Sequence, residues 1–116
     1  MEEKRKKKAW KYVRLEEVPL ADLGNGFFGA NVVELDGFEL TFVTGEEGSG
    51  HDFHRHEELV EILIFLEGEC SFNVDGTDID IKGGSLLFLP SGVDHGVRYK
   101  RKSRVIRIKL SKSSYP

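Results

Sequence analysis

The stretch GSGHDFHRHEELVEILIFLEG, residues 48–68, contains three of the four histidines of this 116-residue chain. Alternate residues of a β-strand point to the same face, so His54 and His56 in the triplet HRH would present two imidazoles to one point. Glu61 follows at the start of a second strand-like run, where an antiparallel neighbour could offer its carboxylate to that point. The stretch therefore predicts two adjacent strands that share one polar site.

The rest of the chain has the pattern of an all-β protein. FELTFV (38–43) and DIDIK (78–82) have strand-like alternation, and EILIFLEGECSFNV (61–74) predicts two strands around Gly68. Asp36-Gly37 and Asp75-Gly76 are hairpin signals, because these residue types tolerate the positive φ of two-residue turns. Closing the sheet removes exposed edges, so we expect a small β-barrel or jelly roll with little helix.

Both ends of the chain carry further predictions. SRVIRIKLS (103–111) alternates Ile106, Ile108 and Leu110 against Val105, Arg107 and Lys109, which predicts a half-buried strand with a basic outer face. Residues 9–20 could supply a strand through Trp10 and Tyr12, or a turn of helix could form at PLADLG (19–24). We expect residues 1–8 to be a flexible basic arm and residues 9–116 to form a single domain.

Composition excludes several classes of protein. No apolar run is long enough to cross a bilayer and no secretory signal is evident, so we expect a soluble, cytoplasmic protein. Residues 15–97 carry 18 acids against Arg55 and Lys82, and the basic residues cluster at the ends without any nucleic-acid-binding motif, so we expect no nucleic-acid partner. The single cysteine, Cys70, predicts a buried residue on a strand. The 32% charged residues and the absence of glutamine favour a thermophile as the source.

The fourth histidine, His95, lies in PSGVDH, where a Pro-Ser-Gly turn can lead a further strand across the barrel. Three neutral imidazoles and one carboxylate suit a divalent transition metal and do not suit calcium or magnesium. We therefore expect one such ion per chain, with iron, manganese, nickel, copper and zinc as the candidates.

These residues resemble the two signature motifs of the cupin superfamily. The first motif consists of a glycine, His-x-His, a glutamate and a second glycine. In this chain its positions are Gly48, His54, His56, Glu61 and Gly68. The second motif consists of a glycine, Pro-x-Gly and a histidine, and its positions here are Gly84, Pro90, Gly92 and His95. The resemblance implies a small single-domain cupin β-barrel (a double-stranded β-helix), with His54, His56, Glu61 and His95 as metal ligands and often a homodimer.

Two further residues are candidates for a catalytic role. Tyr99 stands where the family often has asparagine, and strand parity points it inwards, where its phenol could hydrogen-bond a substrate or could simply fill the barrel. His51 could be a surface loop residue or a general acid/base at the mouth of the pocket. Asp94 should turn away from the metal towards solvent.

Four protein ligands would leave coordination positions open, as catalysis requires. The resemblance implies dioxygenase-type oxidoreductase chemistry on a small oxygen-containing organic molecule as a frequent activity. The alternatives are a metal-dependent isomerase of a sugar or keto acid, and a non-enzymatic cupin that binds or senses a small ligand. A strongly anionic phosphate substrate is disfavoured unless Arg98, Arg104 or Arg107 reaches the pocket.

Overall fold

The computed structural model describes residues 10–112, so the predicted basic arm at residues 1–8 lies outside the described residues. The described chain consists of one short 3-10 turn, Leu15–Glu17, and eight strands. The strands are β1 (Ala21–Gly24), β2 (Phe27–Leu35), β3 (Phe38–Gly45), β4 (Gly50–His54), β5 (Leu59–Val74), β6 (Thr77–Lys82), β7 (Ser85–Leu89) and β8 (His95–Ser111). The prediction of an all-β jelly roll with little helix is confirmed. Within residues 10–112, no helix is long and apolar enough to cross a membrane.

Two long strands, β5 and β8, organise the fold. They pair with each other along most of their length, and all the pairings are antiparallel. In one half of the pair, β3 lies beside β8 and β7 lies beside β5, and β2 and β1 follow beyond β3. In the other half, β4 lies beside β8 and β6 lies beside β5. Because each long strand passes through both groups, the inner faces of the two groups meet around one interior.

A bulge at Gly68 allows β5 to serve both halves. Before it, the residues that belong to the interior cluster are odd-numbered, as in Leu63 and Phe65, and after it they are even-numbered, as in Cys70 and Phe72. Pairing with β8 shifts register between residues 65 and 70, and Gly68 has a φ of 106°. A bulge inserts an unpaired residue and so reverses which parity faces inwards. The prediction of two separate strands around Gly68 was therefore wrong.

Both predicted hairpins are present. Asp75 and Gly76 have φ values of 53° and 89° in the β5–β6 turn, which is the conformation that their residue types favour there, and Gly37 has a φ of 75° in the β2–β3 turn. Cys70 is buried as predicted, and burial raises the pKa of its thiol to about 12.

The N-terminal prediction was wrong in both of its forms. Trp10 and Tyr12 are exposed and belong to no strand, and residues 21–24 form β1 rather than a turn of helix. Leu15–Glu17 is a single 3-10 turn that carries two acids, Glu16 and Glu17, and contains no buried residue. A short segment with no buried residue has little to hold it in a longer helix.

The prediction for β8 was wrong about its faces. Val105, Arg107 and Lys109 lie opposite Phe65, Leu63 and Glu61 of β5, and all six line one interior cavity. Ile106, Ile108 and Leu110 therefore occupy the other face. The basic side chains point into the protein because this interior contains a polar cavity as well as an apolar core.

Candidate metal centre

Four side chains from three parts of the fold converge at one end of the cavity. His54 ends β4, His56 lies two residues beyond it, Glu61 lies in the first half of β5, and His95 begins β8. One potential ligand atom from each residue lies within 4.8 Å of all the others. The expectation that His54 and His56 share a strand face was wrong in detail, because β4 stops at His54 and the turn that follows brings His56 to the cluster.

Pairing between strands explains the convergence. His54 lies directly opposite His95 in the β4–β8 ladder, and their ring centroids are 4.4 Å apart. The rings of His54 and His56 are 4.9 Å apart. Directly opposed residues of an antiparallel pair project to the same face, so the ladder fixes two imidazoles together before any ion is bound.

The carboxylate of Glu61 is the observation that tests whether a cation fits. Its Oε1 atom is buried and lies 3.4 Å from Nε2 of both His56 and His95, yet it has no hydrogen-bond partner among the described residues. A buried carboxylate oxygen without a partner carries a large desolvation cost. A divalent cation held among these atoms would remove that cost, so the donor set fits a transition metal.

His95 is oriented by a backbone contact. Its Nδ1 lies 3.2 Å from the carbonyl oxygen of Val93, which can only accept a hydrogen bond, so Nδ1 carries the proton. The other nitrogen, Nε2, then presents its lone pair to the cluster. Backbone carbonyls commonly fix the tautomer of metal-binding histidines in this way.

Electrostatics keep most of the cluster in the state that a metal requires. Burial, followed by repulsion from His51 and His95, lowers the pKa of His54 to about 4, so its imidazole is neutral at pH 7. Burial alone would raise the pKa of Glu61, but the neighbouring imidazoles hold it below its usual value. Burial alone would lower the pKa of His95, but contact with Glu61 raises it. Metal ligands must be deprotonated, and of the four residues His95 alone has a pKa above its usual value, which opposes its deprotonation.

An ion pair on the outside joins the two ligand-bearing segments. Arg55, which lies between His54 and His56, donates from Nε and a terminal nitrogen to the two carboxylate oxygens of Asp94, at 2.7 and 2.9 Å. Asp94 directly precedes His95, so this bidentate contact connects the His-x-His segment to the start of β8. Asp94 is directed away from the cluster, at the surface, where we expected it.

Tyr99 lies in the core and also lines the cavity. Its ring packs edge-to-face against Phe27, with centroids 5.5 Å apart, and it is 5% exposed. A Cβ on Gly45 would lie 2.7 Å from the ring, so the adjacent strand needs a glycine there to admit the tyrosine. Burial raises the pKa of the Tyr99 phenol, which therefore stays protonated and can donate a hydrogen bond.

His51 completes a group of all four histidines. It is half-buried, lines the cavity, and has its ring centroid 4.3 Å from that of His54. Its Nδ1 lies 2.9 Å from the carbonyl of Asp52, so Nδ1 carries the proton and Nε2 is left as an acceptor. His51 therefore lies on β4 at the cavity wall rather than in a surface loop, and its role as a general acid/base stays a prediction.

The cavity has a volume of about 380 Å³ and combines apolar walls with a few polar groups. Its apolar lining includes Val43, Leu63, Phe65, Phe72, Val97 and Val105. Its basic lining consists of Arg107 and Lys109, which were predicted to lie on the outer face of the last strand because charged side chains usually lie in solvent. Of the three arginines named above as able to admit a phosphate substrate, Arg107 lines the cavity, and Arg98 and Arg104 do not. The available signal for Arg107 and Lys109 was their position in β8, because both lie an even number of residues from His95 and Tyr99, which were predicted to face the site.

Comparison with known proteins agrees with this architecture. Residues 39–107 match the family model described as Cupin domain. Over 50 residues the chain is 40% identical to a protein of Thermotoga maritima named oxalate-binding protein, a match that spans 43% of this chain and 41% of that protein. The match thus covers about two fifths of the length of this curated relative.

Solved structures with the same fold include two that cover most of the chain. KdgF from Halomonas sp. superposes with a TM-score of 0.80 over 86% of this chain and 94% of its own, at 19% identity. A predicted oxalate decarboxylase from Thermotoga maritima superposes with a TM-score of 0.80 over 87% of this chain and 99% of its own, at 22% identity. At these identities the likeness establishes the fold alone.

Proposed function

This chain belongs to the cupin family, and on that premise we propose that it is a metal-dependent oxidoreductase that acts on a small oxygen-containing organic molecule. The observation that supports this most directly is the unpartnered Oε1 of Glu61 beside the Nε2 atoms of His56 and His95, in the lining of the cavity. His54 supplies the fourth ligand. A structural metal site is normally closed, whereas this one opens onto space for a ligand.

Iron or manganese is the cofactor that we propose, with zinc, nickel or copper as alternatives. When bound, such an ion would supply Lewis acidity and, for iron or manganese, electron transfer to dioxygen for dioxygenase-type chemistry. The chain itself contributes the rest. The His54 imidazole stays neutral, the Val93 carbonyl holds the tautomer of His95, and the apolar walls exclude bulk water from the bound molecule.

We assign supporting roles to the two remaining polar residues at the cavity. Tyr99 is protonated and buried, so it would donate a hydrogen bond to an oxygen of the bound molecule. His51 has a free acceptor nitrogen, so it would accept a proton or a hydrogen bond from that molecule. Both roles need only the side chains already at the cavity wall.

Metal content tests the site first. Elemental analysis of the purified protein should find about one transition-metal ion per chain, and the double variant His54→Ala/His56→Ala should contain almost none. His51→Ala is the matched control, because it removes an imidazole of the same cluster that is not among the proposed ligands. A double variant with as much metal as the parent protein would contradict the assignment.

Oxygen consumption tests the reaction. The protein would be loaded anaerobically with iron or manganese and then mixed with oxygen and a panel of phenols, diketones and keto acids. Uptake that depends on both the metal and one of these compounds is expected. Uptake that is the same without the metal would contradict the proposal.

A non-enzymatic binding protein is the second candidate, favoured by the name of the relative from Thermotoga maritima, oxalate-binding protein. The two candidates differ in one result. A binding protein would hold one small molecule reversibly in the metal-loaded state and return it unchanged after prolonged incubation with oxygen. The same samples, analysed by chromatography, distinguish the two.

A homodimer remains a prediction. Light scattering coupled to gel filtration gives the mass directly, and one chain has a mass of 13.1 kDa.

A further inference from the structure

Two basic side chains share the cavity with the metal cluster. Lys109 lies directly opposite Glu61 of β5, and Arg107 lies opposite Leu63, so strand register sends both to the face that carries Glu61. Both line the cavity, together with Val105 of the same strand.

Arg107 has a buried donor without an acceptor. Its Nε atom is buried and makes no hydrogen bond within the part of the chain that the structure describes. Two other arginines of β8 have carboxylate partners, Arg104 with Glu67 at 2.9 Å and Arg101 with Glu69 at 3.2 Å. A buried N–H group without an acceptor is costly and rare in native proteins, so its presence in a cavity calls for a ligand that accepts.

The charge of the cavity points to an anion. Among its described lining residues Glu61 is the one acid, against the two cations Arg107 and Lys109. A divalent metal at the cluster would make the balance more positive still. The chain as a whole has a net charge of −3, so this concentration of positive charge is local.

We propose that Arg107 and Lys109 form an anion subsite that binds the carboxylate of a small organic acid, with Arg107 as its main anchor. The subsite would leave the opposite end of the acid facing His54, His56, Glu61 and His95. This inference rests on the proposed function of the cavity as the site of a small oxygen-containing ligand, and it narrows that ligand to a carboxylic acid. The planar guanidinium matches the two oxygens of a carboxylate, and a cavity of about 380 Å³ restricts the acid to a small one.

Calorimetric titration of the manganese-loaded, full-length protein tests the subsite. The probes are oxalate and pyruvate, their uncharged counterparts oxamide and pyruvamide, and inorganic phosphate. At least one of the two acids should bind, and its amide should bind at least about tenfold more weakly. Arg107→Gln should lower the affinity for the acid by about tenfold or more, because a charge-assisted hydrogen bond is lost. Lys109→Gln should weaken it less.

Arg104→Gln is the matched control, because Arg104 lies on the same strand but pairs with Glu67 outside the cavity. Arg107→Lys keeps the charge without the planar fork and should bind with intermediate affinity. It also serves if Arg107→Gln does not fold. Manganese content, measured for every variant, should stay at the parent value.

The subsite would be overturned if Arg107→Gln and the parent protein bound the acid with equal affinity, or if acid and amide bound equally well. It would also be overturned if phosphate bound more tightly than either acid, or if protein that holds manganese bound neither acid. The proposed function fails in a different way. Protein that takes up no metal but binds oxalate through Arg107 would contradict the metal-dependent activity and retain the anion subsite.

Discussion

Replacing Gly68 with alanine should be among the most damaging single-methyl additions in the protein. An ideal Cβ at this position would lie 2.1 Å from Ser103 Oγ and 2.6 Å from Ser103 Cα, and the φ of 106° is one that side chains rarely adopt. The contact with Cα is the serious one, because backbone cannot rotate away. Ser103 is itself buried, and its hydroxyl both accepts from the Glu69 amide and donates to the Arg101 carbonyl.

The expected cost has two parts. A left-handed backbone costs a non-glycine residue about 1–2 kcal/mol. Overpacking a well-filled interior costs about 1–3 kcal/mol more. The two together would remove about 2–5 kcal/mol from a free energy of unfolding that is about 5–15 kcal/mol for a typical domain.

Gly84→Ala separates the two parts. Gly84 has a φ of 89°, but a Cβ there would have nothing within 4 Å, so only the backbone cost of about 1–2 kcal/mol applies. Urea unfolding of the parent and both variants, followed by circular dichroism, gives the free energies. Equal losses in the two variants would refute the steric argument.

Cys70 reports whether the bulge survives. Its thiol is 1% exposed in the parent protein and should react very slowly with a thiol reagent under native conditions. If Gly68→Ala shifts the register of β5, the parity of the residues after the bulge reverses and Cys70 turns outwards. Rapid labelling of folded Gly68→Ala would indicate a shifted strand, and slow labelling would indicate a strained but correct one.

Three further predictions follow from the site. The metal-free protein should lose stability as the pH falls from 6.5 towards 4. In this range His54 binds a proton in the unfolded chain but not in the folded protein, where its pKa is about 4. The melting temperature, measured in the presence of a chelator, should decrease as the pH is lowered, and a flat profile would contradict this. Asp94→Asn should change the free energy of unfolding little, since its pair with Arg55 lies at the surface and is screened by solvent. It should nevertheless weaken metal binding measurably in a competition titration with a chromophoric chelator; unchanged affinity would show that the pair does not position the ligands. Tyr99→Phe keeps the ring against Phe27 and should change the free energy of unfolding by less than about 1 kcal/mol. Loss of the phenol as a hydrogen-bond donor should lower the affinity for the acid by up to about tenfold in calorimetry, and an unchanged affinity would leave the ring with a packing role only.

Local features of the chain were sufficient to predict much of the architecture. Asp36-Gly37 and Asp75-Gly76 marked their hairpins because few other residue pairs adopt the required backbone. The spacing of His54, His56, Glu61 and His95 matched the cupin motifs and so predicted the cluster that the structure brings together, although His56 reaches it from the segment after β4 and not by strand alternation. The hairpins and the motif spacings are local patterns, which a sequence shows directly.

Features that depend on the whole fold could not be predicted. Gly68 looks the same in a sequence whether it ends a strand or bulges within one, and only the partner strand β8 decides between the two. Arg107 and Lys109 were assigned to solvent because charged side chains usually lie there. Their inward direction follows from their register with Leu63 and Glu61, which tertiary pairing fixes.

The central position of β8 determines when the protein can complete its fold during synthesis, because β3, β4 and β5 all pair with it. Phe38 of β3 pairs with Leu110, and Leu59 of β5 pairs with Ser111, so the first of these strands leaves the ribosome long before its partner is made. At roughly 5–20 residues per second, β3 waits several seconds with one edge unpaired. Such non-local pairing also slows folding. The nascent chain is therefore most exposed to aggregation in the interval before β8 is complete, and substitutions that add apolar residues to β2 or β3 should reduce the yield of soluble protein more than their effect on the folded state would suggest.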